Sequence, residues 1–213
     1  MRIVGGDAKG RRLKSPKTPG TRPVIDRVKT ALFDVLGARV SGAHFLDLFA
    51  GTGAVGLEAL SRGAELATFV EMSHQVVAVL RENLRVTGLA ERAEVVRGDA
   101  FRFLELAAAQ GRHYDIIYIA PPQYRQMAAR ALVQVERLPL THAGSLAIVQ
   151  IFPKERVDLD QLALSKFRQV DERRYGSTLL LFYEDCSAED RQAEVKVPAR
   201  TESPEAQEPG PIR

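Results

Sequence analysis

The sequence predicts an α/β fold, a doubly wound and mostly parallel sheet with helices on both faces and a closing antiparallel strand pair. From His44 onward, short apolar segments alternate with longer amphipathic ones, which is the pattern of βαβ units. The first apolar segment runs into Gly51-Thr52-Gly53-Ala54-Val55-Gly56, a turn that lets a strand pass directly into a helix and brings backbone close to a ligand. The last two extended segments are separated only by a turn at Gly176, so they can pair only in antiparallel fashion.

Taken in order, Met1–Val4 reads as a short strand before Gly5-Gly6, and Thr21-Arg22-Pro23 as a helix start with proline in the first turn. Ile25, Val28, Leu32 and Val35 recur at helical spacing and form the expected apolar face, leaving Asp26, Lys29 and Thr30 for another. His44–Phe49 is a strand and Gly53–Ser61 a helix; Ala67–Glu71 is the next strand, and Ser73 N-caps a helix through Arg85. Ala93–Arg97 follows as a strand, then a helix containing Phe103 and Leu104. Asp115–Ile119 has the continuous apolar character of a buried parallel strand. Tyr124–Glu136 is helical, Ser145–Phe152 is the fifth strand, and Lys166–Arg174 with Ser177–Glu184 form the closing pair.

With 213 residues, the chain is long enough for one main domain with a full core. The expected organisation is a basic arm over 1–23, a domain over 24–185 and a disordered tail over 186–213, the tail being rich in Pro, Glu, Ser and Gln. Hydrophobic content of 45% and charged content of 27% exclude the fibrous and fully disordered classes. No apolar run approaches the roughly 18 residues that cross a bilayer, and the N-terminus lacks the apolar stretch of an export signal. A single cysteine, Cys186, excludes an internal disulfide and fits a reducing cytosol. A cytoplasmic monomer without a membrane partner is therefore expected. His44, His74, His113 and His142 have no Cys or His at ligand spacing, so no metal site is expected.

Net charge is only +3, but its distribution is uneven. Residues 1–30 carry Arg2, Lys9, Arg11, Arg12, Lys14, Lys17, Arg22, Arg27 and Lys29 against Asp7 and Asp26. Such an arm ahead of a ligand-binding domain has the electrostatics of a polyanion contact; a merely solvated terminus is the alternative.

The expected site lies at the carboxyl ends of the strands. The glycine turn matches the G-x-G-x-x-G dinucleotide fingerprint, yet Asp47 precedes it. A carboxylate there repels a pyrophosphate and suits a ligand with cationic sulfonium and ammonium groups, such as S-adenosylmethionine. Asp47 can also simply brace the turn. Glu71, at the end of the second strand, can accept ribose hydroxyls. Asp99 can accept from an adenine amino group or N-cap the following helix, with Phe101 covering the ring face. After the fourth strand, Ala120-Pro121-Pro122-Gln123-Tyr124 offers carbonyls stiffened by two prolines and without local N–H partners. Such an array can hold an exocyclic amino group while an aromatic stacks on the base.

Together the segments MRIVGGDAKGRRLKSP, TRPVIDRVKTALFDVL, FLDLFAGTGAVGLEALSRGA and FVE resemble the bacterial 16S ribosomal RNA guanine-N2 methyltransferases, a class I, S-adenosylmethionine-dependent family. The resemblance covers roughly residues 1–184. It implies a Rossmann-like class I methyltransferase fold and action on 16S rRNA or the small ribosomal subunit. Asp47, Phe49, Gly51, Gly53, Glu71, Asp99 and Phe101 are the implied cofactor residues. Arg11, Arg12, Lys14, Thr21, Arg22 and Arg27 are the implied RNA residues, and Pro121, Pro122 and Tyr124 the implied catalytic ones. The family pattern at the fourth strand is Asp-Pro-Pro followed by Tyr or Phe; here Ala120 replaces the Asp, Gln123 stands at the aromatic position, and Tyr124 comes one place later. That departure keeps two other readings open: a noncatalytic RNA-binding or assembly factor, and a methyltransferase for DNA or a small molecule.

Overall fold

The computed structural model describes residues 1–15, 26–122 and 126–187. A seven-stranded sheet runs through it in the order β3-β2-β1-β4-β5-β7-β6. The strands are β1 (His44–Asp47), β2 (Leu66–Glu71), β3 (Ala93–Arg97), β4 (Ile116–Ile119), β5 (Leu146–Ile151), β6 (Phe167–Tyr175) and β7 (Thr178–Asp185). The first five pair in parallel, and β7 is antiparallel to both β5 and β6. This is the doubly wound, mixed sheet of a class I methyltransferase fold.

Alternation along each strand sorts the side chains into two cores. Phe45, Phe69, Ile116, Tyr118, Ile148, Leu180 and Phe182 face α1 (Asp26–Leu36), α2 (Ala54–Ser61) and α3 (His74–Thr87). Leu46, Val70, Ile117, Ile119, Ala147, Val149 and Leu181 face α4 (Ala100–Ala109), α5 (Met127–Arg137) and α6 (Arg156–Asp160). A sheet buried on both faces explains why its central strands read as continuous apolar runs.

Two glycines fix how α2 meets the sheet. Gly53 N-caps α2 at φ 81°, and a Cβ there would lie 2.2 Å from the Leu80 side chain. Gly56 has an ordinary φ, but its Cβ would lie 2.3 Å from the Phe69 ring of β2. Only glycine allows this helix and strand to pack so closely.

Some expectations need correction. Met1–Val4 is not a strand but one arm of a loop, with a single bridge between Arg2 and Arg12; the loop closes through Ile3 N–H to Arg11 O and Leu13 N–H to Met1 O, both 3.0 Å. The apolar stripe of α1 runs through Val28, Leu32, Phe33 and Leu36, while Val35 is 37% exposed just past its rim. Lys29, assigned to a polar face, is fully buried within that stripe. The helix α6 carries too short an apolar pattern to be expected from sequence. Asp115 lies outside β4, where its carboxylate accepts the His44 N–H at 2.7 Å. The expected helix start at Thr21-Arg22-Pro23, Ile25 of its apolar face and the tail after Ser187 lie outside the described residues.

Candidate functional site

A cavity of about 340 Å³ opens at the carboxyl ends of the parallel strands, where a doubly wound sheet places its ligands and within the size range of small-molecule sites. It gathers Asp47, Phe49, Gly51, Glu71, Asp99, Pro121 and Pro122, seven of the expected residues.

Asp47 ends β1 and is 2% exposed. Its Oδ2 accepts the Gly56 N–H of α2 at 3.1 Å, so it does brace the glycine turn. It forms no ion pair with a basic side chain among the described residues. Burial, with the Glu71 charge adding to it and the Gly56 hydrogen bond opposing, pushes its pKa up from 3.8 to about 7. A buried carboxylate of this kind gains from a cation seated beside it.

Glu71 ends β2 and folds back onto the turn: Oε2 accepts the Gly51 N–H at 3.1 Å and Oε1 the Ser73 N–H at 2.7 Å. Asp99 is exposed and N-caps α4, accepting the Arg102 N–H at 3.0 Å. Both carboxylates thus stand at the cavity wall already oriented by backbone donors. Gly53 does not line the cavity; it shapes the turn from behind. Phe101 is also outside the lining. Its ring meets Phe49 edge-on at 6.3 Å and lies under the Arg130 guanidinium at 4.5 Å, so it supports Phe49 rather than forming the wall itself. Tyr124, Thr21 and Arg22 lie outside the described residues.

The N-terminal loop helps to build the wall through Met1 and Ser15. It is fastened by a buried network. Glu58 of α2 accepts Val4 N–H at 2.8 Å, Gly5 N–H at 2.7 Å and Arg62 Nε at 2.9 Å, and pairs with Lys29 Nζ at 3.2 Å with both side chains fully buried. Lys29 also donates to the Arg2 carbonyl. Asn83 of α3 accepts Lys14 N–H at 2.8 Å and donates to Lys14 O at 3.1 Å and Thr52 O at 3.0 Å, joining the loop to the glycine turn. Of the expected RNA residues, Arg11, Arg12, Lys14 and Arg27 are all exposed. Arg11 reaches the Val86 carbonyl at 2.6 Å and Lys14 pairs with Glu82 at 2.9 Å.

Sequence reasoning missed Met72, Tyr118 and Gln150, all of which line the cavity. Each carries a usable signal: Tyr118 and Gln150 bring polar atoms into otherwise apolar strands, and Met72 follows a strand-ending carboxylate. Tyr118 is fully buried, its hydroxyl donates to Gln150 Oε1 at 2.6 Å, and desolvation with the nearby Asp47 charge drives its pKa far up.

A family model described as "Conserved hypothetical protein 95" matches residues 1–184. Ribosomal RNA small subunit methyltransferase D of Escherichia coli strain K12 is 42% identical over 136 residues, covering 64% of this chain and 67% of that protein. A solved structure described as "Putative methyltransferase yhhF from Escherichia coli" matches with a TM-score of 0.74 at 32% identity, covering 87% of this chain and 98% of that one. A hypothetical protein of Thermus thermophilus matches with a TM-score of 0.72 at 38% identity, covering 86% of this chain and 99% of that one.

Proposed function

The chain belongs to the Conserved hypothetical protein 95 family, whose model spans residues 1–184, and from that premise we propose that it is an S-adenosylmethionine-dependent methyltransferase acting on small-subunit ribosomal RNA. The reading extends to a guanine exocyclic N2 as acceptor. The observation that carries it is one cavity that joins a buried, cation-seeking carboxylate at a glycine turn to a proline-stiffened wall of carbonyls.

The residues fit this cofactor. Asp47 favours a cation, Glu71 can accept ribose hydroxyls, and Asp99 can accept from an adenine amino group. Phe49 and Met72 supply apolar surface on the same wall. When bound, S-adenosylmethionine supplies an electrophilic methyl group on a sulfonium and departs as a neutral thioether. The contribution of the chain is positional: carbonyls at Ala120–Pro122 can hold the amino hydrogens so that the nitrogen lone pair faces the methyl donor. The methylated nitrogen then releases its proton to solvent. Ala120 provides no carboxylate for this task, so backbone acceptors and the neutral side chains nearby must supply it. Exposed Arg11, Arg12, Lys14 and Arg27 give the RNA backbone a cationic surface, and a target base in a loop is unstacked at low cost.

The test is incubation with methyl-labelled cofactor and unmodified small-subunit rRNA, free and in assembled subunits, followed by digestion to nucleosides. Labelled N2-methylguanosine is the expected product. Label on another nucleoside overturns the guanine assignment alone. No label on any RNA, with cofactor binding intact, overturns the RNA-methyltransferase reading and leaves a binding factor or a methyltransferase for DNA or a small molecule.

A further inference from the structure

The cavity has two chemically different ends. Its carboxylates Asp47, Glu71 and Asp99 lie at or just past the ends of β1, β2 and β3, and no other charged side chain lines it among the described residues. Toward β5 and β7 the polar lining side chains are the neutral ones of Tyr118, Gln150 and Thr178. Sheet order places these two groups on opposite sides of the β1–β4 junction.

Gln150 follows Val149, which pairs with Ile119, so it is level with Ala120 at the start of the proline turn. Its amide is not free to spin. The Tyr118 ring is packed in the core at 1% exposure, and its hydroxyl donates to Gln150 Oε1 at 2.6 Å. A glutamine amide offers two donors and two acceptor sites. Tyr118 occupies one acceptor site and fixes the plane, leaving a donor and an acceptor side by side. A half-buried amide in an apolar strand is a cost unless its hydrogen-bonding capacity is used, and Tyr118 uses only part of it.

We propose that Gln150, oriented by Tyr118, reads the target base: its amide pairs with an adjacent donor and acceptor on a neutral nucleobase edge. Under the functional reading above, on which this inference rests, that edge is the N1–H and O6 of guanine. The pairing leaves the neighbouring C2 amino group free for transfer. A neutral wall does not attract phosphate or a cationic substrate, so discrimination here is by hydrogen-bond pattern. Tyr118 acts through Gln150 and is a positioning residue.

The experiment measures kcat/KM on small-subunit rRNA carrying either guanosine or 2-aminopurine at the nucleotide that the wild-type protein labels. 2-Aminopurine keeps the C2 amino group but lacks N1–H and O6. Gln150→Leu is expected to lower kcat/KM on guanosine RNA about ten-fold, the scale of a hydrogen bond between neutral partners, with the cofactor Kd unchanged. Tyr118→Phe, which frees the amide without removing it, should lower it about three-fold. Wild type should lose about ten-fold on 2-aminopurine RNA, and Gln150→Leu should lose nothing further. Gln150→Glu, nearly isosteric, should melt with the wild type and still discriminate against guanosine, because its carboxylate repels O6. Losses from the variant and from the base analogue that multiply overturn the inference alone. Absence of any transfer by the wild-type protein overturns the functional reading and the inference with it.

Discussion

Under the proposed function Asp47 gives the sharpest test of the site, because its burial should couple cofactor binding to protons. Its pKa of about 7 against an ordinary 3.8 corresponds to roughly 4 kcal/mol of penalty on the charged form at 1.36 kcal/mol per pH unit. Near pH 7 about half of the ligand-free protein therefore carries a proton on this carboxylate. A ligand with cationic sulfonium and ammonium groups favours the charged form, so binding at pH 7 should release about half a proton. Isothermal titration of S-adenosylmethionine in buffers of different ionisation enthalpy reads that number directly. Release should fall toward zero at about pH 8.5, where the carboxylate is already charged. Asp47→Asn should release none and should bind the cofactor at least about ten-fold more weakly, the scale of a charge-assisted hydrogen bond. Stability moves the other way. Because the folded pKa lies above the unfolded one, Asp47 contributes stability that is fully present below about pH 4 and lost as the pH rises to about 7. Ligand-free Asp47→Asn should accordingly be more stable than wild type at about pH 8 and show a flatter pH profile. Wild-type binding without proton release at pH 7, or equal release from the Asn variant, would refute this reasoning.

Three further outcomes follow from the packing and the charge. Lys29→Met removes one cation from the buried Glu58 carboxylate and leaves Arg62 as its partner, so urea unfolding should show a loss of about 1.5–3 kcal/mol, the scale of a hydrogen bond to a charged group. Gly56→Ala drives a Cβ to 2.3 Å from the Phe69 ring; it should cost about 1–3 kcal/mol in the same assay and weaken cofactor binding, because helix and strand must separate at the turn. Replacing Arg11, Arg12 and Lys14 together with Ala should flatten the plot of log affinity for RNA against log salt by about 0.7 for each phosphate no longer neutralised, with cofactor affinity unchanged. An unaltered slope would remove these side chains from the RNA surface.

Wherever burial on both faces fixes composition, the fold was legible in the sequence. Ala93–Arg97 is the strand that its pattern predicted, and Ile116–Ile119 and Leu146–Ile151 differ from expectation only at their ends. Ser73 and Asp99 cap the helices they precede, accepting the Val76 and Arg102 N–H groups, because capping is decided within one turn. Lys29 was illegible for the opposite reason. Periodicity treats a lysine as a solvent residue, and nothing near it in sequence announces Glu58, 29 residues away. The N-terminal strand was misjudged for a related reason: the segment makes a single bridge to its own loop, and the side chains of Glu58 and Ser61 on α2 take the Val4 and Gly5 backbone that a longer strand would have paired.

The site divides along the same line. Carboxylates at strand ends could be read because topology alone brings strand ends together, and Asp47, Glu71 and Asp99 do line one cavity. Topology cannot say which way an aromatic turns after a strand, and Phe101 turns to Phe49 and Arg130. Nor can it find Tyr118 and Gln150, whose hydrogen bond joins residues 32 apart. Yet both were visible as exceptions, a hydroxyl and an amide in strands that otherwise carry no polar side chain toward the core. An apolar strand tolerates such a group only where a partner or a ligand offsets its desolvation. In a parallel sheet, then, a polar residue that breaks an apolar run near the carboxyl end of a strand points to a partner that the glycine turn does not announce, here the Tyr118–Gln150 hydrogen bond at the cavity wall.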